Sequence, residues 1–160
     1  MNFDNLRIIT KETKDLSKKE IQNICNLKNS YWKYGKKSQM RWFKNNIKKF
    51  DLNNMLILNE KLIGYTLIRN RNHVTKNKKK YVLIDSVILN KAFQKKGYGD
   101  ILMGYNNLII KKIGFEGILL CNKSLVKFYK KFNWNKTSKS LYNIDNLKKK
   151  NYVVLKYNGI

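Results

Sequence analysis

Apolar positions along the chain change period several times, and each change marks an element. Leu6–Thr10 (LRIIT) reads as a short first strand. Ser17 with Glu20 makes a capping box, after which Ile21, Ile24 and Cys25 share one helical face. That helix is expected to fade in NSYWKYGKK, where Gly35 breaks the pattern. Met40, Phe43 and Ile47 have the spacing of a second helix over SQMRWFKNNIKKF. MLILN and LIGYTLIRNR are strands joined by the turn NEK, and NHVTKNKKK reads as a polar hairpin loop. YVLIDSVIL is the clearest strand of the chain, and Ile101, Leu102, Tyr105 and Ile109 restore helical spacing soon after it. FEGILLCN predicts a strand, and LVKFYKKF a short helix with Leu125, Phe128, Tyr129 and Phe132 grouped. WNKT and NYVVLKY close the pattern as strands. The order β-α-α-β-β-β-α-β-α-β-β predicts an α/β fold of the α+β type, a mixed and mostly antiparallel sheet with helices on both faces. No repeat or linker interrupts it, so residues 1–160 read as a single domain.

Composition narrows the function more than the fold. The formal net charge is +25, from 35 Lys and Arg against 10 Asp and Glu. Such an excess invites a nucleic-acid reading. Yet only Arg7, Arg41, Arg69 and Arg71 carry the forked group suited to phosphate and base contacts. The lysines are spread along the chain beside abundant Asn and no Pro, so nucleic acid is not expected as the main partner. The charge still draws in anionic ligands and repels cationic ones. No apolar run approaches the roughly 18 residues of a membrane span, and the N-terminal stretch has no apolar signal core. Cys25 and Cys121 form no CxxC pair, which reads as two free thiols in a reducing cytoplasm. His73 has no Cys or His nearby, so no metal site is expected. Monomer and homodimer fit this composition equally.

Between the clearest strand and the helix after it lies Gln94-Lys95-Lys96-Gly97-Tyr98-Gly99. Amide N–H groups at a helix start are unpaired and carry the positive end of its dipole, which suits phosphate. Gly97 and Gly99 clear side chains from that seat, and Lys95 and Lys96 add charge. By itself the pattern also fits an ordinary strand-to-helix turn. It is neither a Walker loop nor GxGxxG with a following acid.

VILNKAFQKKGYGDILM resembles the core motif of the GNAT family of N-acetyltransferases, in which Gln/Arg-x-x-Gly-x-Gly/Ala receives acetyl-CoA. A second motif resembles the same family at the expected distance: LLCNKSLVKFYKKFNW, a strand ending in Asn122 with Tyr129 seven residues on. Two positions depart from it. Asp100 stands where Ser, Thr or a basic residue is common, and Asn133 where Gly is usual. Asn is the residue that best tolerates the left-handed conformation after Gly.

The resemblance implies acetyl-CoA as acyl donor and a small-molecule amine as acceptor. It implies cofactor contacts at Val87, Leu89, Gln94, Lys95, Lys96, Gly97, Tyr98, Gly99 and Asp100 from the first motif, and at Asn122, Phe128 and Tyr129 from the second. In that reading the Val87 N–H polarises the thioester carbonyl. Leu89 pairs with the pantetheine arm as if it were an added strand, which requires the neighbouring strands to splay, often at a bulge. Tyr129 protonates the departing sulfur. Asp85, the lone charge in its strand, is a general base acting directly or through water. Strand alternation is expected to place Leu83, Asp85, Val87 and Leu89 on one face. Asp85 could equally pair with a lysine, Asn122 cap the strand end, and Tyr129 serve as a core aromatic. Direct transfer needs no covalent intermediate, in keeping with the lack of a nucleophile–His pair, and Cys121 reads as a small buried apolar residue.

The segment between the first two helices shapes the acceptor pocket in this family. Here Tyr31, Trp32, Arg41 and Trp42 are the candidate contacts, beside Tyr34, Phe43, Lys36 and Lys37, although helix packing also accounts for aromatics at these places. Basic side chains there favour an amine on an anionic carrier, such as a nucleotide-linked amino sugar, over polyamines. Two other classes compete with the enzyme. A nucleic-acid-binding module would show steep salt dependence. A non-catalytic CoA-binding module would bind without turnover.

Overall fold

A computed structural model describes residues 5–75, 78–142 and 152–158. Their elements follow the expected order: β1 Leu6–Glu12, α1 Lys18–Tyr31, α2 Lys36–Asn46, β2 Leu52–Leu58, β3 Lys61–Val74, β4 Lys80–Leu89, α3 Tyr98–Ile113, β5 Glu116–Asn122, α4 Val126–Lys130, β6 Asn135–Lys136 and β7 Tyr152–Tyr157. The seven strands form one sheet in the order β1-β2-β3-β4-β5-β7-β6. β4 and β5 run parallel, while the β1–β2, β2–β3, β5–β7 and β6–β7 pairs are antiparallel.

The departures from expectation are at element ends. α2 begins two residues earlier than its sequence signal and stops at Asn46, so Ile47 is its extended C-cap and not a helical position. β3 runs on to Val74, through residues that read as loop. Part of that reading, residues 76 and 77, lies outside the described residues.

By internal contacts the chain forms two compact units, Met1–Arg69 with Ser86–Leu102, and Asn70–Asp85 with Met103–Ile160. In the first unit, α1 starts at the capping box: Glu20 N–H donates to Ser17 Oγ and Ser17 N–H to Glu20 Oε2. Burial opposes ionisation of Glu20, but the Lys11 ammonium at 2.8 Å and the Ser17 hydrogen bonds hold its carboxyl below the ordinary value. Ile24, Cys25 and Leu27 of α1 and Phe43 of α2 bury against Met55, Tyr65, Leu67 and Ile88. Leu56, Ile63, Val87 and Leu89 pack with Tyr98 and Leu102 of α3. The sheet here thus carries one apolar set for α1 and α2 and another for α3.

A polar network lies inside this unit. Tyr65 Oη donates to Asn53 Oδ1 at 2.7 Å, and Asn53 Nδ2 donates to Lys11 O, Thr13 Oγ1 and Asp51 O. Beside it, Thr10 Oγ1 donates to Asn54 Oδ1 at 2.7 Å. Asn53 and Asn54 are fully buried, so these bonds replace those lost to water.

In the second unit, Tyr81, Ile118, Tyr142 and Val154 form a cluster closed by Leu83, Leu120 and Leu141. Gly117 is required by close packing. A Cβ there would stand 2.9 Å from both Ile110 Cδ1 and Trp134 Cη2. Trp134 is fully buried, donates from Nε1 to Asn107 Oδ1, and stacks on Tyr157 with centroids 5.5 Å apart. Asn133, just before it, has φ +63, the left-handed conformation expected of an Asn in place of Gly.

Candidate functional site

β4 is interrupted at its middle, where Ser86 has φ +63. A left-handed residue other than glycine inside a strand marks a bulge-type break, which ends strict alternation. Val87 and Leu89 still share a cluster, with Leu56, Tyr98 and Leu102. Leu83 packs elsewhere, with Tyr81, Ile118 and Tyr142. The expected single face of Leu83, Asp85, Val87 and Leu89 is therefore corrected: the conformation of Ser86 divides it. The parallel register of β4 with β5 covers Tyr81–Ile84 against Glu116–Leu119, and Val87 and Leu89 lie beyond it. Asp85 and Val87 flank the break, both half-buried.

After β4 the chain turns tightly. Asn90 N–H donates to Ile63 O at 2.7 Å, and Asn90 Oδ1 accepts from Ala92 N–H, capping the short 3-10 turn Lys91–Phe93. Lys95 at φ +58 and Gly97 at φ +77 then bend the backbone toward α3. The first helical amides bonded within the protein are those of Asp100 and Ile101, both to Gly97 O. The N–H groups of Lys95, Lys96, Gly97, Tyr98 and Gly99 have no acceptor among the described residues. Five successive orphan donors at the positive end of a 16-residue helix make a strong seat for an anion. Lys95 and Lys96 are exposed beside it, and Tyr98 is buried, its ring edge-on to Phe93 at 5.9 Å. Asp100 sits in the first turn, where its charge favours the helix dipole and opposes a bound phosphate.

The half-buried Gln94 side chain bridges the end of β4 and the end of α1. Its Nε2 donates to Leu89 O at 3.2 Å and to Tyr31 Oη at 2.7 Å. Of the four candidate acceptor residues, Tyr31 is thus joined to the loop, and Arg41 is exposed. Trp32 and Trp42 are partly buried against the α1–α2 core. The Trp42 ring carries Lys28 Nζ 3.6 Å from its centroid and Arg69 Cζ at 5.5 Å. Lys28 is only 3% exposed. Sequence reasoning missed it, though an isolated Lys four residues from both Ile24 and Trp32 is a signal for such stacking. A cavity of about 660 Å³ in the same unit, lined by Asn23, Asn26, Leu27, Ser30, Ile63, Asn90 and Phe93 among others, contains none of the candidate residues.

The second unit holds the other motif. Asn122 ends β5 and is exposed, and its Oδ1 accepts from Ser124 N–H at 3.1 Å and Ser124 Oγ at 3.2 Å, capping the turn before α4. Tyr129 lies on α4, 6% exposed, with Phe128 edge-on at 5.1 Å. Burial pushes the Cys121 thiol from the ordinary 9 up to about 11, and raises that of Cys25 as well. Both stay protonated at neutral pH, which disfavours either as a nucleophile. The native protein should therefore leave a thiol-specific chromogenic reagent unreacted at pH 8, and release two equivalents once denatured. Because the unfolded thiols lose their protons first, they should also lower stability as pH rises from about 9 toward 11.

The acetyltransferase (GNAT) family model matches residues 21–134. A search of curated proteins finds no significant match. Among solved structures, Escherichia coli ElaA superposes with TM-score 0.72 at 14% identity, over 94% of this chain and 98% of that one. An acyl-CoA N-acyltransferase from Pseudomonas aeruginosa gives 0.70 at 16%, over 95% and 99%. The PaiA N-acetyltransferase of Thermoplasma acidophilum, solved with coenzyme A, gives 0.62 at 14%, over 95% and 99%. At these identities the structural likeness carries the fold, while the family model spans most of the chain, including both glycine-loop and Asn–Tyr motifs. The chain belongs to the GNAT family of acetyltransferases.

Proposed function

We propose that the protein transfers an acyl group from acetyl-CoA to a primary amine on a small anionic metabolite. The observation that carries the cofactor half is the run of five orphan amides from Lys95 to Gly99, which fits a pyrophosphate. Coenzyme A would supply the activated acyl thioester. The chain's own groups supply the rest. The Val87 N–H stabilises the charge that develops on the carbonyl oxygen. The Asp85 carboxylate takes the proton of the attacking amine, directly or through water, and Tyr129 Oη gives one to the departing sulfur. The Leu89 backbone, Gly97 and Gly99 hold the donor together with Lys95, Lys96, Tyr98 and Asp100, and Asn122 and Phe128 add contacts from the second motif.

The acceptor half rests on charge. From Tyr31 to Lys44 the chain carries Lys33, Lys36, Lys37, Arg41 and Lys44, all exposed, and no carboxylate. We assign acceptor binding to this segment, with Tyr31, Trp32, Arg41 and Trp42 at its centre. A panel of amines followed by free-thiol release tests it. Glucosamine 6-phosphate and nucleotide-linked amino sugars should turn over at least about tenfold faster than spermidine at low salt, a gap that narrows as salt screens the field. A preference for the polyamine would overturn the anionic acceptor and leave the transferase reading intact.

A further inference from the structure

We propose that Tyr31 and Gln94 form a positioning pair that orients the Leu89 peptide for the pantetheine arm, so that Gln94 serves the donor through the backbone and not as a phosphate ligand. This rests on the acetyl-CoA reading above. A primary amide has two N–H bonds on one nitrogen, and both of Gln94's are spent, on Leu89 O and Tyr31 Oη. No donor remains on that side chain for a phosphate. The same peptide is held at its other end, because Asn90 N–H donates to Ile63 O at 2.7 Å. With carbonyl and N–H both anchored, the plane of the Leu89–Asn90 peptide is fixed. The Leu89 carbonyl, which keeps a second lone pair for the pantetheine arm, is then offered in one direction.

Tyr31 gives the anchor its rigidity. It is the last residue of α1, and the turn after it is pinned. Trp32 N–H donates to Lys28 O, Trp32 O accepts from Gln39 Nε2 at 2.8 Å, and Gly35 N–H donates to Asn29 Oδ1 at 2.8 Å. A phenol hydroxyl is both donor and acceptor, so Tyr31 takes the Gln94 bond and keeps its own hydrogen. The end of α1, the end of β4 and the loop into α3 are joined through one side-chain amide.

The test separates pantetheine from phosphate. Tyr31→Phe, Gln94→Ala and the double variant are titrated with acetyl-CoA by calorimetry. ADP, which carries a pyrophosphate and no pantetheine, is then titrated by displacement of acetyl-CoA. Each single variant should weaken acetyl-CoA about three- to tenfold, the worth of one lost hydrogen bond, and the double variant no further. ADP affinity should stay within about twofold of wild type, since the Lys95–Gly99 amides remain. Equal weakening of both ligands would mean general damage or a direct phosphate role for Gln94, and would overturn the proposal. Unchanged acetyl-CoA affinity in Tyr31→Phe would overturn it too. A folded wild type that binds no acetyl-CoA at all would instead sink the cofactor reading, and this inference with it.

Discussion

Gly97→Glu abolishes acetyl-CoA binding in a protein that still unfolds cooperatively; this is the expected calorimetric result, with affinity reduced at least about 100-fold. Two effects combine. Gly97 holds φ +77, where an L-residue is strained by roughly 1–2 kcal/mol. The new carboxylate also stands within the run of five orphan amides, where it competes with the pyrophosphate and repels it. Because Gly97 is exposed, the substitution leaves the core untouched. Gly97→Ala should fall between, since it keeps the strain and omits the charge. If Gly97→Glu binds acetyl-CoA as wild type does, the loop is only a turn and the donor is held elsewhere.

Tyr129→Phe should lower kcat by about 10² or more while leaving the affinity for acetyl-CoA within a few fold. The hydroxyl is asked for one thing, a proton at the departing sulfur, so its loss should fall on the chemical step. The ring is buried beside Phe128, and Phe preserves that packing. Thermal stability should therefore change far less than the rate. Steady-state kinetics by thiol release, with melting curves beside them, decide the matter. A rate within threefold of wild type would make Tyr129 a core aromatic and send the search for the proton donor elsewhere.

Much of this was readable in the chain. Periods of 2 and 3.6 located the longer elements because those bury one face, and the Ser17–Glu20 box placed the start of α1 at Lys18; the two exposed residues of β6 and the far end of β3 carry no such period. The glycine loop was legible because a tight turn into a helix favours glycine, and the Asn122–Tyr129 spacing because it resembles the family's second motif. What alternation could not reveal is Ser86, since nothing in the letter Ser announces a left-handed residue inside a strand. Nor could it reveal that Gln94 reaches Tyr31, 63 positions away, or that Lys28 covers Trp42. Those contacts depend on where α1 and the strands come to lie, which local propensity does not encode.

The buried asparagines of β2 bear on how this sheet avoids its near misses. Asn53 is opposite Lys11 on one side and Leu67 on the other, and Asn54 opposite Thr10 and Thr66. A strand of seven mostly apolar residues could slide by one position and still satisfy its ladder hydrogen bonds. Such a slide would part Asn53 from Tyr65 Oη and Asn54 from Thr10, leaving buried amides without partners at about 1–3 kcal/mol each. The two side chains therefore act as a key: they add modestly to the depth of the native state and raise its competitors, so that β1, β2 and β3 have one alignment in which every buried polar group is answered.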